Sequence, residues 1–234
     1  MIHRLRLFRR QARWVIFAAA AQAALVAAPR AQAPPTAWPD TFVSRLQALA
    51  LIQTLNADIL ASRSATESLE KWCRDHQLAE TPAIAARVVR GVDQPPSAAQ
   101  RQRLQIGDRD EVKYRRVRLL CGGRVLSDAE NWYVPGRLSA EANRLLDTTT
   151  TPFGTVVRSL EPYRRTFDVT LLWRPLPADW AIRSPARSTA GTLAIPDALF
   201  EHRAVLYTRE HVPFSEVHEV YQRQILPRSP PRAR

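Results

Sequence analysis

The segment from Glu111 to Val134 constrains the fold more than any other part of the sequence, because it has the pattern of one β-hairpin. In its first half, alternate residues fall on two faces of a strand. One face carries Val112, Tyr114, Arg116, Arg118 and Leu120, and the other carries Val117, Leu119 and Cys121. Gly122-Gly123 is a typical two-residue turn, and Arg124 to Val134 is the returning strand. The sequence therefore predicts an antiparallel sheet.

The elements around this hairpin come in groups rather than in βαβ alternation. Leu and Ile recur at steps of three and four between Phe42 and Leu60, which predicts a helix. Ser64-Ala65-Thr66-Glu67 is a capping box that begins a second helix. Two shorter helices are predicted after the hairpin, one capped by Ser139 and one from Pro152 to about Leu160. Further strands are predicted at 84–89, 166–173, 203–208 and 212–221, and a Pro-rich loop or insertion at 174–196. This order predicts an α+β fold, a single domain with a mainly antiparallel β-sheet flanked by helices.

The positive charge of the chain lies mainly at its two ends. There are 34 basic and 22 acidic residues, a formal net charge of +12. Six Arg fall within residues 1–33 and three within the tail 227–234, which leaves the remainder near +3. Because a nucleic-acid-binding domain concentrates its basic residues on the domain itself, we expect no nucleic-acid partner. The residual charge suits a small anionic ligand.

The N-terminus has the layout of a secretory signal peptide. Residues 1–33 contain no acid, and a basic start is followed by an apolar stretch from Trp14 to Ala28 and by the small-residue site Ala31-Gln32-Ala33. We therefore expect a cleaved signal peptide at 1–33, a linker at 34–40 and a location in the periplasm or outside the cell. An uncleaved anchor is the alternative. After cleavage we expect no stable membrane association.

The two cysteines, Cys73 and Cys121, lie 48 positions apart, a separation without metal-ligand spacing. In an oxidising compartment they could form a disulfide. Two buried free thiols fit the sequence equally well.

Two groups of charged residues on predicted strands could carry chemistry. Arg116 and Arg118 share one face of an otherwise apolar strand, where a guanidinium group needs a partner or a bound anion. Glu216 and His218 share a face of the last strand with Phe214, whereas Glu219 shares the opposite face with Tyr221. A carboxylate beside aromatic residues can serve as an acid. In both cases the alternative is a solvent-exposed strand face that carries ordinary surface charges.

Taken together, the order of these segments resembles chorismate pyruvate-lyase, the family that removes pyruvate from chorismate to leave 4-hydroxybenzoate. The resemblance spans about Leu46 to Leu226. It rests on the capped helix Ser64-Ala65-Thr66-Glu67-Ser68-Leu69-Glu70, the strand 114–121, the returning strand that ends in Tyr133-Val134-Pro135, the turn Thr151-Pro152-Phe153-Gly154 and the late strand Pro213-Phe214-Ser215-Glu216-Val217. It implies a chorismate lyase-like domain over residues 41–226, with a ligand held inside beneath helical flaps, and leaves 227–234 as a disordered basic tail.

The resemblance also implies roles for particular residues. Arg116 falls on the strand arginine that binds the ring carboxylate, with Arg118 beside it, and Glu216 falls on the carboxylate that serves as the acid. Ala65, Phe153 and Gly154 fall where the family places main-chain groups around the ligand. A bidentate Arg would orient a dianionic substrate, and no metal or organic cofactor is implied.

Two functions therefore remain open at the level of sequence. The first is an exported lyase that acts on chorismate or a related enolpyruvyl aromatic precursor. The second is a non-catalytic periplasmic binding or accessory protein for small aromatic acids. In both, we expect a monomer whose partner is a small aromatic carboxylate.

Overall fold

The computed structural model describes residues 37–183 and 191–231. Within these ranges, five helices and six strands are labelled here in chain order. The helices are α1 (Phe42–Ala61), α2 (Ala65–Asp75), α3 (Ala98–Leu104), α4 (Ala140–Thr148) and α5 (Phe153–Val156). The strands are β1 (Ile84–Val89), β2 (Lys113–Cys121), β3 (Arg124–Tyr133), β4 (Tyr163–Leu171), β5 (Ala198–Tyr207) and β6 (Pro213–Gln222).

All six strands form one antiparallel sheet in the order β1-β2-β3-β6-β5-β4. The hairpin between β2 and β3 turns at Gly122 and Gly123, whose φ angles of 50° and 85° lie in the left-handed region that glycine adopts without strain. The predicted α+β class, with an antiparallel sheet flanked by helices, is confirmed. The edges of the sheet are β1 and β4.

One face of the sheet, called here the inner face, packs against most of the helices and holds the core. At one end, α1 and α2 cover it through residues such as Ile52, Leu55 and Leu69, which are fully buried. At the other end, α4 and α5 contribute Leu146 and Phe153 to a second apolar cluster. Burial of these side chains is the main source of stability. The opposite face, called the outer face, is crossed by α3.

A disulfide joins Cys73 of α2 to Cys121 of β2. The sequence had left this pairing open. Because the two residues are 48 positions apart, the bond closes a long loop and restricts the unfolded chain strongly. It fixes the C-terminal half of α2 to the inner face.

Several local predictions hold and others need correction. Ser64 caps α2, since its Oγ accepts a hydrogen bond from the Glu67 amide at 3.3 Å, but the Ser64 amide is bonded to Ser62 Oγ instead of Glu67. Helix α3 was not predicted. Its polar sequence lacks an apolar stripe, although Ser97 and Gln100 form a complete capping box.

The ends assigned to a linker and a tail also pack on the domain where they are described. Trp38, which falls in the predicted linker, is 4% exposed and donates from its indole Nε1 to the Pro227 carbonyl at 3.0 Å. Gln47 donates to the carbonyl of Pro231 at 2.9 Å. The predicted signal peptide, residues 184–190 of the predicted insertion, and the last three residues of the tail lie outside the described residues. The remaining part of the insertion is anchored by Leu193, whose amide donates to the Trp38 carbonyl at 2.8 Å.

Candidate functional site

A small cavity lies between the inner face and the N-terminal ends of α2 and α5. It has a volume of about 40 Å³, enough for a few water molecules and far below the roughly 300 Å³ or more of typical small-molecule pockets. Its walls combine apolar strand residues with a few convergent polar groups. The residues that line it include Ala65, Thr66, Val117, Leu119, Asn131, Phe153, Gly154, Arg164, Leu206, Val217 and Glu219.

A buried ion pair forms the most polar wall of this cavity. Arg164 of β4 donates from Nη2 to Glu219 Oε2 of β6 at 2.6 Å, and the side chains are 3% and 9% exposed. Tyr221 adds a hydrogen bond from its hydroxyl to the same oxygen at 3.0 Å. Burial is the largest influence and lowers the pKa of Arg164, but the charge of Glu219, the nearby Tyr221 and the hydrogen bond to Glu219 together outweigh it, and the net shift is upward. Burial raises the pKa of the Tyr221 hydroxyl, so this group remains a donor at neutral pH.

Besides the Oγ atoms of Ser127 and Ser215, which are buried without a partner, the side chains of Asn131 and Arg115 on the inner face lack partners that burial normally requires. Asn131 of β3 lines the cavity, is 3% exposed and makes no side-chain hydrogen bond with a described residue. Directly across from it on β2 lies Arg115, 6% exposed. Arg115 donates from Nη2 to the Thr151 carbonyl at 3.1 Å, whereas its Nε and Nη1 atoms are buried without an acceptor.

No described carboxylate compensates the charge of Arg115, and burial lowers its pKa. A guanidinium group in this setting is costly to bury. Arg115 is not among the residues that line the cavity, but it lies directly across from Asn131, which is. An anion beside Asn131 would give acceptors to the two unpaired nitrogen atoms of Arg115, Nε and Nη1.

The roof of the cavity is formed where α2 meets α5. A Cβ added to Gly154 would lie 2.8 Å from Thr66 Oγ1 and 3.0 Å from Ser64 Oγ, so the two helices approach more closely than any larger residue would allow. An ion pair of 3.2 Å between Glu67 of α2 and Arg158, just after α5, spans the same junction. Ala65, Phe153 and Gly154 were predicted to surround a ligand, and the structure brings all three together at this cavity. Their role in binding stays a prediction.

Arg116 and Arg118 do not enter the cavity, contrary to the geometry expected from the sequence. Both lie on the outer face, where Arg116 pairs with Asp128 through two hydrogen bonds of 2.9 and 3.1 Å. Arg118 lies 3.5 Å from the same carboxylate. Because side chains alternate along a strand, Val117 and Leu119 point inward and the arginines beside them point outward. This agrees with the alternative interpretation, in which the two arginines are ordinary surface charges.

Glu216 also lies on the outer face and therefore cannot share the cavity with Glu219. It is almost fully buried beneath α3, where it accepts two hydrogen bonds of 2.8 Å from Arg103. The guanidinium of Arg103 in turn lies 4.5 Å above the Phe167 ring. This arrangement anchors α3 to the sheet. Arg116 and Glu216 lie on the same face of the sheet, as expected, but they bind separate partners and neither lines the cavity. Their role in ligand binding stays a prediction.

A buried histidine lies next to the polar wall. His202 of β5 is directly across from Glu219, is fully buried, and its Nε2 lies 2.7 Å from Asn56 Oδ1. Burial, together with the nearby positive charge of Arg164, lowers the pKa of His202 to about 4. The ring is therefore neutral at physiological pH, and Nε2 is the atom that donates to Asn56.

Sequence reasoning missed four residues of the inner site: Arg115, Asn131, Arg164 and Glu219. A signal was available for Arg115, because it continues the inward series of Val117, Leu119 and Cys121. Glu219 had been placed correctly on the face of Tyr221, opposite Glu216. The positions of Asn131 and Arg164 depend on strand pairing, which the sequence alone does not give.

Other classes of site find little support in the described part of the chain. No group of three His, Cys, Asp or Glu residues within 37–183 and 191–231 is arranged to hold a metal ion. Of the described helices, none has both the length and the apolar character needed to span a bilayer.

Solved structures with some likeness to this one include an effector domain and a possible transcriptional regulator. The effector domain of PhnF from Mycobacterium smegmatis is 15% identical, over 68% of this chain and 88% of that chain, with a TM-score of 0.44. A structure of PhnF from the same organism gives 15% identity, coverage of 75% and 71%, and a TM-score of 0.46. YydK from Bacillus subtilis, a possible transcriptional regulator, is 14% identical, over 59% of this chain and 58% of that chain, with a TM-score of 0.37. The chain thus spans less than two thirds of YydK, and TM-scores below 0.5 do not support the transfer of a function.

No model of a known protein family matches the sequence. A relative does: the uncharacterized protein y4mC of Sinorhizobium fredii (strain NBRC 101917 / NGR234) is 46% identical over 191 residues, which is 81% of this chain and 81% of the relative. Identity at this level over most of both chains implies a shared fold and a shared core. The chain therefore belongs to the same family as the y4mC protein.

Proposed function

We propose that this protein binds a small aromatic carboxylate in the cavity between the inner face and the helices α2 and α5. The observation that carries the proposal is Arg115, a buried guanidinium beside the cavity, directly across from its lining residue Asn131, with two nitrogen atoms, Nε and Nη1, that have no acceptor. Removing such donors from water costs about 1–3 kcal/mol or more when nothing replaces the lost hydrogen bonds. A bound carboxylate would supply both the acceptors and the compensating charge.

The surroundings of the cavity suit a ring with a polar group at its far end. Val117, Leu206 and Val217 offer apolar contacts, and Phe153 lies in the roof. The polar wall of Arg164 and Glu219 can bond a hydroxyl or a second anionic group. A molecule of this size needs more room than the cavity now has, so binding requires that the roof move away from the sheet.

Titration calorimetry with 4-hydroxybenzoate tests the proposal, with two variants on adjacent residues of β2. Arg115→Gln should weaken binding by tenfold or more, about the value of one charged hydrogen bond. Arg116→Gln is the matched control and should bind like the unmodified protein, since Arg116 lies on the outer face. Binding that depends on Arg116 and not on Arg115 would contradict the proposal, as would a protein that binds no aromatic carboxylate.

A second candidate is the lyase reaction itself, and the position of Glu219 is the observation that favours it. This carboxylate lies at the cavity, held by Arg164 and Tyr221. As an ionised carboxylate it would accept the ring proton, which differs from the role of acid that the family resemblance implied for Glu216. In the reaction, the ether bond to the enolpyruvyl group of chorismate breaks and the ring loses a proton, which leaves the aromatic 4-hydroxybenzoate. The released enolpyruvate takes up a proton and becomes pyruvate. The protein would mainly orient the substrate and stabilise charge on the departing oxygen.

Incubation with chorismate, followed by chromatography for 4-hydroxybenzoate, separates the lyase from a binding protein. Under the lyase hypothesis, Glu219→Gln abolishes product formation and Glu216→Gln leaves it largely intact, provided that both variants are folded. If the unmodified protein forms no product while it still binds 4-hydroxybenzoate, the binding function stands alone.

Export remains part of this proposal. The layout of residues 1–33 supports it, and so does the disulfide between Cys73 and Cys121, since such bonds persist in oxidising compartments. Intact-mass analysis of the protein isolated from its host should give a chain that begins near Pro34. A mass that corresponds to all 234 residues would contradict cleavage.

A further inference from the structure

Strand β4 is an edge strand whose free side exposes apolar side chains. It pairs with β5 on one side, and no described strand pairs with it on the other. Phe167, Val169 and Leu172, on the strand and just after it, are 43%, 39% and 44% exposed. The other edge strand, β1, has no large apolar residue among the exposed ones. An apolar edge with unpaired backbone groups is a template for another strand.

Two opposite charges lie on β4 without a partner in the described structure. Arg165 and Asp168 make no hydrogen bond or ion pair with a described residue. Arg165 is opposite Val205 and Asp168 is opposite Arg203 on β5. Because Val205 and Arg203 are two residues apart, both charges lie on the same, outer face of the sheet.

The irregularity between Thr166 and Asp168 is what places these charges on one face. Residues three apart on a regular strand point to opposite faces. Here the register on β5 advances by one residue while β4 advances by two, so Phe167 is an extra residue and the alternation is reversed beyond it. The strand thus becomes complementary to itself about a two-fold axis between Thr166 and Phe167.

We propose that a second copy of this chain pairs with β4, antiparallel to it, to form a dimer with one continuous sheet. Arg165 of each copy lies opposite Asp168 of the other, which gives two cross-strand ion pairs. Arg164 lies opposite Val169 and Tyr163 opposite Thr170, and in each of these pairs both residues occupy the same face. Phe167 of each copy lies next to the axis, opposite Thr166 of the other. This inference departs from the monomer expected from the sequence and does not depend on what the cavity binds.

Charge reversal with a compensating double variant tests both the dimer and its register. Sedimentation velocity of the full chain, from low to high micromolar concentration, should show an equilibrium between one and two copies. Arg165→Asp places carboxylates opposite each other and should raise the dimer dissociation constant by about tenfold. Asp168→Arg should do the same with positive charges. The double variant Arg165→Asp with Asp168→Arg restores both pairs and should restore the dimer.

The control is Arg87→Asp on the opposite edge strand β1, which should leave the dissociation constant unchanged. Charges and bulges also occur on edge strands that avoid pairing, so a chain that remains monomeric at every concentration would overturn the proposal. A dimer that is insensitive to the single reversals, or one that the double variant does not recover, would overturn it as well. Circular dichroism of each variant shows that the fold is retained.

Discussion

Arg115 and Arg116 are neighbours in β2, yet their guanidinium groups lie on opposite faces of the sheet and have opposite electrostatic surroundings. Arg116 is bonded to Asp128 at the surface. Arg115 is buried beside Asn131 and has no carboxylate. Because adjacent strand residues alternate, a difference of one position in the sequence decides which arginine can meet an internal ligand.

The uncompensated charge of Arg115 should make this residue a cost to the stability of the ligand-free protein. Arg115→Met keeps much of the volume and removes the buried charge, so the free energy of unfolding should rise by about 1 kcal/mol. Arg116→Met loses an exposed ion pair and should lower it by no more than about 1 kcal/mol. Urea denaturation of the two variants measures this difference, and a marked loss of stability in Arg115→Met would indicate a structural role.

The two buried carboxylates of β6 should differ in their importance for stability. Glu219→Gln leaves Arg164 buried and unpaired, which should cost about 3–5 kcal/mol. Glu216→Gln leaves Arg103, whose side chain is 35% exposed and reaches water, so a loss of about 1 kcal/mol is expected. Thermal and urea denaturation of both variants give the comparison. Equal losses would argue against the difference in burial as the cause.

His202 should make the stability dependent on pH in the acidic range. Its pKa in the folded protein is about 4, below the usual value near 6.5. Between these two pH values the unfolded chain binds a proton that the folded chain does not bind. The free energy of unfolding is therefore highest above pH 6.5 and falls by roughly 3 kcal/mol as the pH is lowered towards 4. His202→Gln, which can still donate to Asn56, should flatten this part of the curve. Urea midpoints measured between pH 7 and 4 for both proteins provide the test.

The disulfide should contribute strongly to stability because of the loop it closes. Chain entropy alone predicts a loss of about 4 kcal/mol when a bond across 48 residues is removed. The variant with Cys73→Ala and Cys121→Ala should therefore unfold at a much lower urea concentration. Addition of a reducing agent should shift the unmodified protein in the same direction and leave the variant where it is. A reductant that affects both equally would point to another cause.

Gly154 should not tolerate a larger residue. In Gly154→Ala, the added methyl group meets Thr66 and Ser64 at 2.8–3.0 Å, which should push α5 away from α2 at a cost of about 1–2 kcal/mol. Gly136→Ala is the matched control, because nothing lies within 4 Å of its added Cβ, and its effect should be within about 0.5 kcal/mol. Melting temperatures of the two variants give the answer directly.

The sequence was most informative where side-chain periodicity decides the structure. The alternation around Gly122 and Gly123 predicted the central hairpin, and apolar spacing predicted α1. It was less informative for α3, where stability comes from the Arg103–Glu216 pair and from burial of Leu104, and neither shows as a periodic pattern.

The inner site was predicted only in part, because it is assembled from four strands. The sequence showed which apolar residues of β2 share a face. It therefore already placed Arg115 and Arg116 on opposite faces of the strand. The ion pair between Arg164 and Glu219 requires strands that are 55 positions apart in the sequence to be placed two strands from each other. That order of strands is a tertiary property and could not be read from local spacing.

The bond between Cys73 and Cys121 also determines which side of the cavity can open. It ties α2 covalently to β2. Helix α5 has only four residues and faces α2 through the close approach at Gly154 and the exposed ion pair Glu67–Arg158. If the cavity binds a molecule larger than itself, as proposed, we therefore expect α5 and the segment that follows it to move, while α2 stays in place.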